Sequence, residues 1–152
     1  MSLGPNLITK STFDSNINGW STPGEPYQLS TLNWVGGRLH GIRTSAGTSD
    51  YALSNSLSLV TGKAYHVSLN LEVISGSVSV TFNTGVGNPA INRGVGNHTV
   101  VFDFISTYTG VTQFAIAATV NPTEFYLDDV AVRENTMALA SVGWEMTVTL
   151  AD

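Results

Sequence analysis

The chain has 152 residues, no cysteine, 11% charged side chains and a formal net charge of −5. That length buries a core without disulfides or metal, and the absence of Cys removes thiol chemistry while leaving the compartment open. The six Lys and Arg are scattered, which argues against the clustered basic surface of a nucleic-acid partner, and no run approaches the ~20 apolar residues of a membrane-spanning helix.

In chain order, residues 1–5 read as a leader, and less regular strands are expected at Asn6 to Phe13, Tyr27 to Trp34, Arg38 to Arg43 and Asp50 to Val60. Lys63 to Ile74 is cleaner. Tyr65, Val67, Leu69, Leu71 and Val73 alternate with His66, Ser68, Asn70 and Glu72, the period of two of a strand with one buried face. Val78, Val80 and Phe82 form a second alternating run beyond Gly76, and the short link predicts a hairpin between the two. Thr84 to Gly96 reads as a long exposed loop. Its glycines are no phosphate cradle, because no helix follows them. Val100, Phe102 and Phe104 share one face, as do Phe114, Ile116 and Ala118; a last strand runs from Glu124 to Arg133. No window holds a helical period. Short strands with turn signals between them predict an all-β jelly-roll β-sandwich of two antiparallel sheets.

Two end segments carry a further signal. Asn6-Leu7-Ile8-Thr9-Lys10-Ser11-Thr12-Phe13-Asp14 leads into Gly19-Trp20-Ser21, and Phe125-Tyr126-Leu127-Asp128-Asp129-Val130 lies near the other end. Between them, Leu57-Ser58-Leu59-Val60-Thr61-Gly62-Lys63-Ala64-Tyr65-His66-Val67-Ser68 follows the pattern L-x-L-x-x-G-K-x-Y-x-V-S. In this order the three resemble the carbohydrate-binding modules of families four and nine, galactose-binding-like jelly rolls also found in phage tail and virion proteins. The resemblance spans 6–134 and leaves 135–152 as a C-terminal extension.

The resemblance implies a non-catalytic module that binds a glycan or polysaccharide as part of a larger extracellular or virion protein. It also implies that Trp20 seals the core and that the Gly-Lys turn leads into the most central strand. Trp34, beside the Gly36-Gly37 turn, is the candidate sugar-stacking ring, with Tyr27, Tyr51 and Tyr108 as loop aromatics. His66, Asn70 and Glu72 are candidate hydrogen-bonding groups on a groove floor; the same row also reads as a solvated sheet face. Alternation places Asp128 with Val130 and Val132, facing the core, where a carboxylate needs a partner. The resemblance implies a structural Ca²⁺ there, shared between Asp14 and Asp128; pairing of Asp128 with the backbone or with Lys10 is the competing account.

An enzyme is not expected. His40, His66 and His98 lack metal-ligand spacing, there is no G-x-S-x-G elbow, and Glu72 with Asp103 is the one carboxylate pair to consider for glycoside hydrolysis. A structural or oligomerising virion domain without its own ligand is the alternative. Val142, Trp144, Met146, Val148 and Leu150 alternate with polar residues, which predicts an extra C-terminal strand that adds to its own sheet, starts a second domain or pairs with another subunit, a homo-oligomer joined through it being the favoured reading.

Overall fold

The computed structural model describes residues 3–83 and 89–136. Nine strands form two antiparallel sheets: β1 (Thr31–Val35), β2 (Arg38–Arg43), β3 (Asp50–Leu59), β4 (Ala64–Ser75), β5 (Val78–Phe82), β6 (Ile91–Arg93), β7 (Gly96–Ile105), β8 (Gly110–Ala118) and β9 (Thr123–Glu134). The five-stranded sheet has the order β1-β2-β9-β4-β7, and the four-stranded sheet the order β3-β8-β5-β6. This is the expected jelly-roll sandwich.

The core lies between the sheets. Val67, Leu69, Leu71 and Val73 of β4 meet Val78, Val80 and Phe82 of β5 and Phe114 and Ile116 of β8, all buried. Burial of one face of each strand is what the period of two requires. Trp20 seals one side as expected. It is 7% exposed, its ring meets Phe13 edge-on at 5.7 Å, and its indole N–H donates to the Lys10 carbonyl at 2.9 Å.

Two expectations about connectivity change. β4 and β5 are no hairpin: they belong to opposite sheets, and the chain crosses between them at Gly76 (φ 76°), where an added Cβ would meet the Pro122 carbonyl at 2.4 Å. The Gly62-Lys63 turn likewise carries the chain from one sheet to the other. β9 is the central strand of its sheet, with β4 beside it. A short link predicts a hairpin only when both strands stay in one sheet; here each crossing places an apolar face on the opposite side of the same core.

Residues 6–13 are not a full strand. They run along β9 through a few bonds: Leu7 N–H to the Val132 carbonyl at 2.8 Å, and Val130 N–H to the Ser11 carbonyl at 2.9 Å. The Asn6 side chain donates to the Val130 carbonyl and accepts from Val132 N–H. Residues of the expected leader join the same edge, with Gly4 N–H donating to the Glu134 carbonyl at 2.8 Å. The expected loop from Thr84 to Gly96 contains the short strand β6. The C-terminal alternation from Val142 lies outside the described residues.

Candidate binding cleft on the five-stranded sheet

The outward face of the five-stranded sheet is built by register. Asn70 stands opposite Asp128 on one side and Thr99 on the other; Glu72 stands opposite Tyr126 and Asn97. Tyr126 in turn stands opposite His40, which pairs with Asn33 of β1. Directly opposed residues share a face, so one row of polar side chains crosses all five strands.

A hollow of about 240 Å³ opens on this face, lined by Arg38, Asn70, Glu72, Thr99, Tyr126 and Asp128 among others. Arg38 Nη1 donates to Glu72 Oε1 at 2.7 Å, and its guanidinium lies 4.1 Å from the Tyr126 ring centroid. His40 stacks on the same ring at 4.6 Å and is held by Glu124 Oε2 at 2.7 Å and Asn33 Oδ1 at 3.1 Å. Tyr126 is therefore flanked by two cationic or polar partners, so the hollow offers hydrogen-bonding edges rather than a bare aromatic platform. Asn70 links the other wall: its amide donates to Asp129 Oδ2 at 2.8 Å and its carbonyl accepts from Thr99 Oγ1 at 3.3 Å.

The Asp128 side chain faces this hollow, not the core. Between Ser68–Ala131 and Asn70–Asp128 the ladder advances two residues on β4 but three on β9, a β-bulge, and Asp129 sits there at φ 54°. The extra residue reverses the alternation, so Val130 and Val132 stay buried while Asp128 turns outward. Partial burial pushes the Asp128 carboxyl above the usual Asp value. The Asp129 backbone N–H opposes this, the charges of Asp129 and Asp14 add to it, and Arg38 offsets it.

The expected site residues divide into groups. Asn70 and Glu72 belong to the hollow. His66 shares their sheet face but lies six residues from Glu72 along β4, roughly 20 Å at strand rise, where it contacts Asp103 at 3.0 Å. Glu72 and Asp103 are separated by the same span, well beyond the ~5–9.5 Å of glycosidase carboxylates. Trp34 is opposite buried Leu39, hence on the inward-turned side of β1, where it stays 41% exposed, and its indole N–H donates to the Phe13 carbonyl at 2.6 Å. It does not converge with Asn70 and Glu72. Tyr108 follows the far end of β7, with its hydroxyl donating to the Val111 carbonyl at 3.2 Å. Tyr27 stands beside Tyr51 at the four-stranded sheet.

Asp14 is close enough for its charge to act on Asp128, as a shared cation would require. Among the described residues, however, no three His, Asp or Glu side chains gather as metal ligands. Two carboxylates supply only part of the six to eight oxygens Ca²⁺ takes.

Sequence reasoning missed Arg38, Thr99 and Tyr126. Tyr126 and Asp128 were hidden by the bulge, since strict alternation turns both inward. Arg38 and Thr99 come from strands remote in sequence, and only sheet order brings them to β4 and β9.

The fold is the jelly roll of carbohydrate-binding modules. It superposes on a solved CBM4 module with a TM-score of 0.65 at 17% identity, covering 84% of this chain and 99% of that one. The N-terminal cellulose-binding domain of Cellulomonas fimi β-1,4-glucanase C also gives 0.65, at 15% identity over 86% of this chain and 97% of that one. TmCBM61, solved in complex with β-1,4-galactotriose, gives 0.57 at 12% identity over 85% and 98%. No protein-family model and no curated protein matches the chain.

Proposed function

We propose that this domain is a non-catalytic glycan-binding module and that the hollow on the five-stranded sheet receives the sugar. The observation that carries the reading is the convergence of Arg38, Asn70, Glu72, Thr99, Tyr126 and Asp128 on one sheet face. Strands hold these groups rigidly, and a mixed set of donors and acceptors matches the hydroxyls of a neutral saccharide. Likeness of fold to modules solved as cellulose-binding or with β-1,4-galactotriose points the same way. Binding by directional hydrogen bonds, with Tyr126 held between Arg38 and His40, is the mode proposed. Calorimetric titration of soluble β-1,4-linked gluco-, galacto- and xylo-oligosaccharides tests it. Glu72→Ala should weaken binding at the cleft by roughly one to two orders of magnitude, whereas Trp34→Ala, on the other side of the sheet, should leave it intact.

Display outside the cytoplasm, on a cell exterior or a virion, is part of the proposal; the Ser-, Thr- and Asn-rich, charge-poor composition supports it. A Ca²⁺ between Asp14 and Asp128 is a subsidiary proposal, supported by their mutual repulsion, with main-chain and water oxygens completing its shell.

The assembly reading has its own observation. β7 is a ten-residue edge strand among the described residues, and its outward Val101 and Ile105 are 55% and 56% exposed. An edge with apolar side chains and unpaired backbone groups favours pairing with another strand.

A further inference from the structure

We infer that the domain has a second saccharide site, on the outer face of the four-stranded sheet and independent of the cleft. Pro23, Tyr27, Tyr51, Leu53 and Asn83 enclose a hollow of about 300 Å³ there. The Tyr27 and Tyr51 rings stand 6.1 Å apart and 58° to each other, so they form an angled wall and not a closed stack.

Backbone pairing fixes this geometry. The segment carrying Pro23 and Tyr27 is laced to the edge of β3: Ser21 and Leu53 exchange both N–H···O bonds, at 2.9 and 2.7 Å, and Tyr51 N–H donates to the Tyr27 carbonyl at 3.1 Å. Beside β3, β8 sets Ala115 opposite Leu53 and Ala117 opposite Tyr51. Single methyl groups next to two large side chains leave the depression open.

The chemistry of the lining selects the ligand class. None of the five lining residues carries a charge at neutral pH, so an ionic ligand finds no counter-ion. Tyr27 is nevertheless 45% exposed, and aromatic surface held open favours a ligand with an apolar face. Among the described residues, neither tyrosine hydroxyl nor the Asn83 side-chain amide has a hydrogen-bond partner. Aromatic faces ringed by neutral, unengaged donors and acceptors suit a pyranose ring, which presents C–H groups on its face and hydroxyls at its rim. The cleft and this hollow lie on the outer faces of opposite sheets, so a molecule with both occupied bridges two saccharide chains.

The test follows the Tyr27 and Tyr51 ring resonances by NMR while the Glu72→Ala protein is titrated with cellotetraose, β-1,4-galactotriose and xylotetraose. Saturable ring shifts with at least one saccharide are expected, because the cleft variant leaves this site whole, and Tyr51→Ala should remove the shifts remaining at Tyr27. Ring shifts present in the unaltered chain but lost in Glu72→Ala would overturn the inference by reducing two sites to one. So would silence with all three saccharides, or saturable shifts with a proline-rich peptide and none with saccharide. Failure of the cleft reading is seen separately, as ring shifts without any perturbation of Asn70, Thr99 and Tyr126 in the unaltered chain.

Discussion

Glu72 has two tasks in the cleft: one carboxylate oxygen holds Arg38 over Tyr126, and the other is left for a ligand. Hydrogen bonds to a charged group contribute about 1.5–3 kcal/mol, so Glu72→Ala should lower glycan affinity by roughly one to two orders of magnitude. Asp128 gives a prediction with a sign. Its carboxyl is raised in the folded state, chiefly by burial, so ionising it costs stability. That cost is absent below the ordinary Asp range and fully present above the raised value. In chelator-containing buffer, Asp128→Asn should therefore raise the melting temperature at pH 7 and change little at pH 3. An equal effect at both would contradict the assignment. With added Ca²⁺ the unaltered protein should instead melt higher, by mass action, and Asp128→Asn should remove that gain; a melting curve indifferent to Ca²⁺ and chelator removes the metal.

Strand limits were legible in the sequence even for β3, β4 and β9, whose ladders carry bulges. β2 was read with its observed limits, and β3, β4, β5 and β9 to within a residue or so, because alternation is the signature of one-sided burial. The cleft was legible only along β4, where Asn70 and Glu72 lie two apart on one strand. Its other half depends on a single bulged residue, Asp129, and on a strand order that periodicity does not encode. A second element escaped the reading altogether. Arg43 and Asp50, 2% and 0% exposed, close the β2–β3 connection: the Arg43 guanidinium donates to the Ala118 carbonyl at 2.9 Å and to the Ser45, Gly47 and Thr48 carbonyls, with Asp50 at 3.7 Å. Nothing in a Gly/Ser/Thr-rich turn marks an Arg as core. Removing one partner strands the other charge, so Asp50→Ala should destabilise the fold by about 3–5 kcal/mol in denaturant melts; a cost under about 1 kcal/mol would show the pair to be dispensable.

For the whole molecule, the two faces have different characters. One outer face carries a hydrogen-bonding cleft beside an apolar edge at Val101 and Ile105, and the other an aromatic hollow. If the edge serves assembly, light scattering should detect a species larger than one chain, and Val101→Lys should reduce it to monomers; a monomer at all concentrations would remove that reading. The jelly roll itself was legible from alternation and from the order of the three motifs, whereas the ligand was not, since a scaffold motif reports packing and not what the outer face meets. The central claim rests on the cleft, and calorimetry of the β-1,4-linked oligosaccharide panel against the unaltered chain, Glu72→Ala and Trp34→Ala tests it most directly. Saturable binding that Glu72→Ala weakens by roughly one to two orders of magnitude and Trp34→Ala preserves is the predicted result; no binding by any saccharide, or binding unchanged in Glu72→Ala and lost in Trp34→Ala, would contradict it.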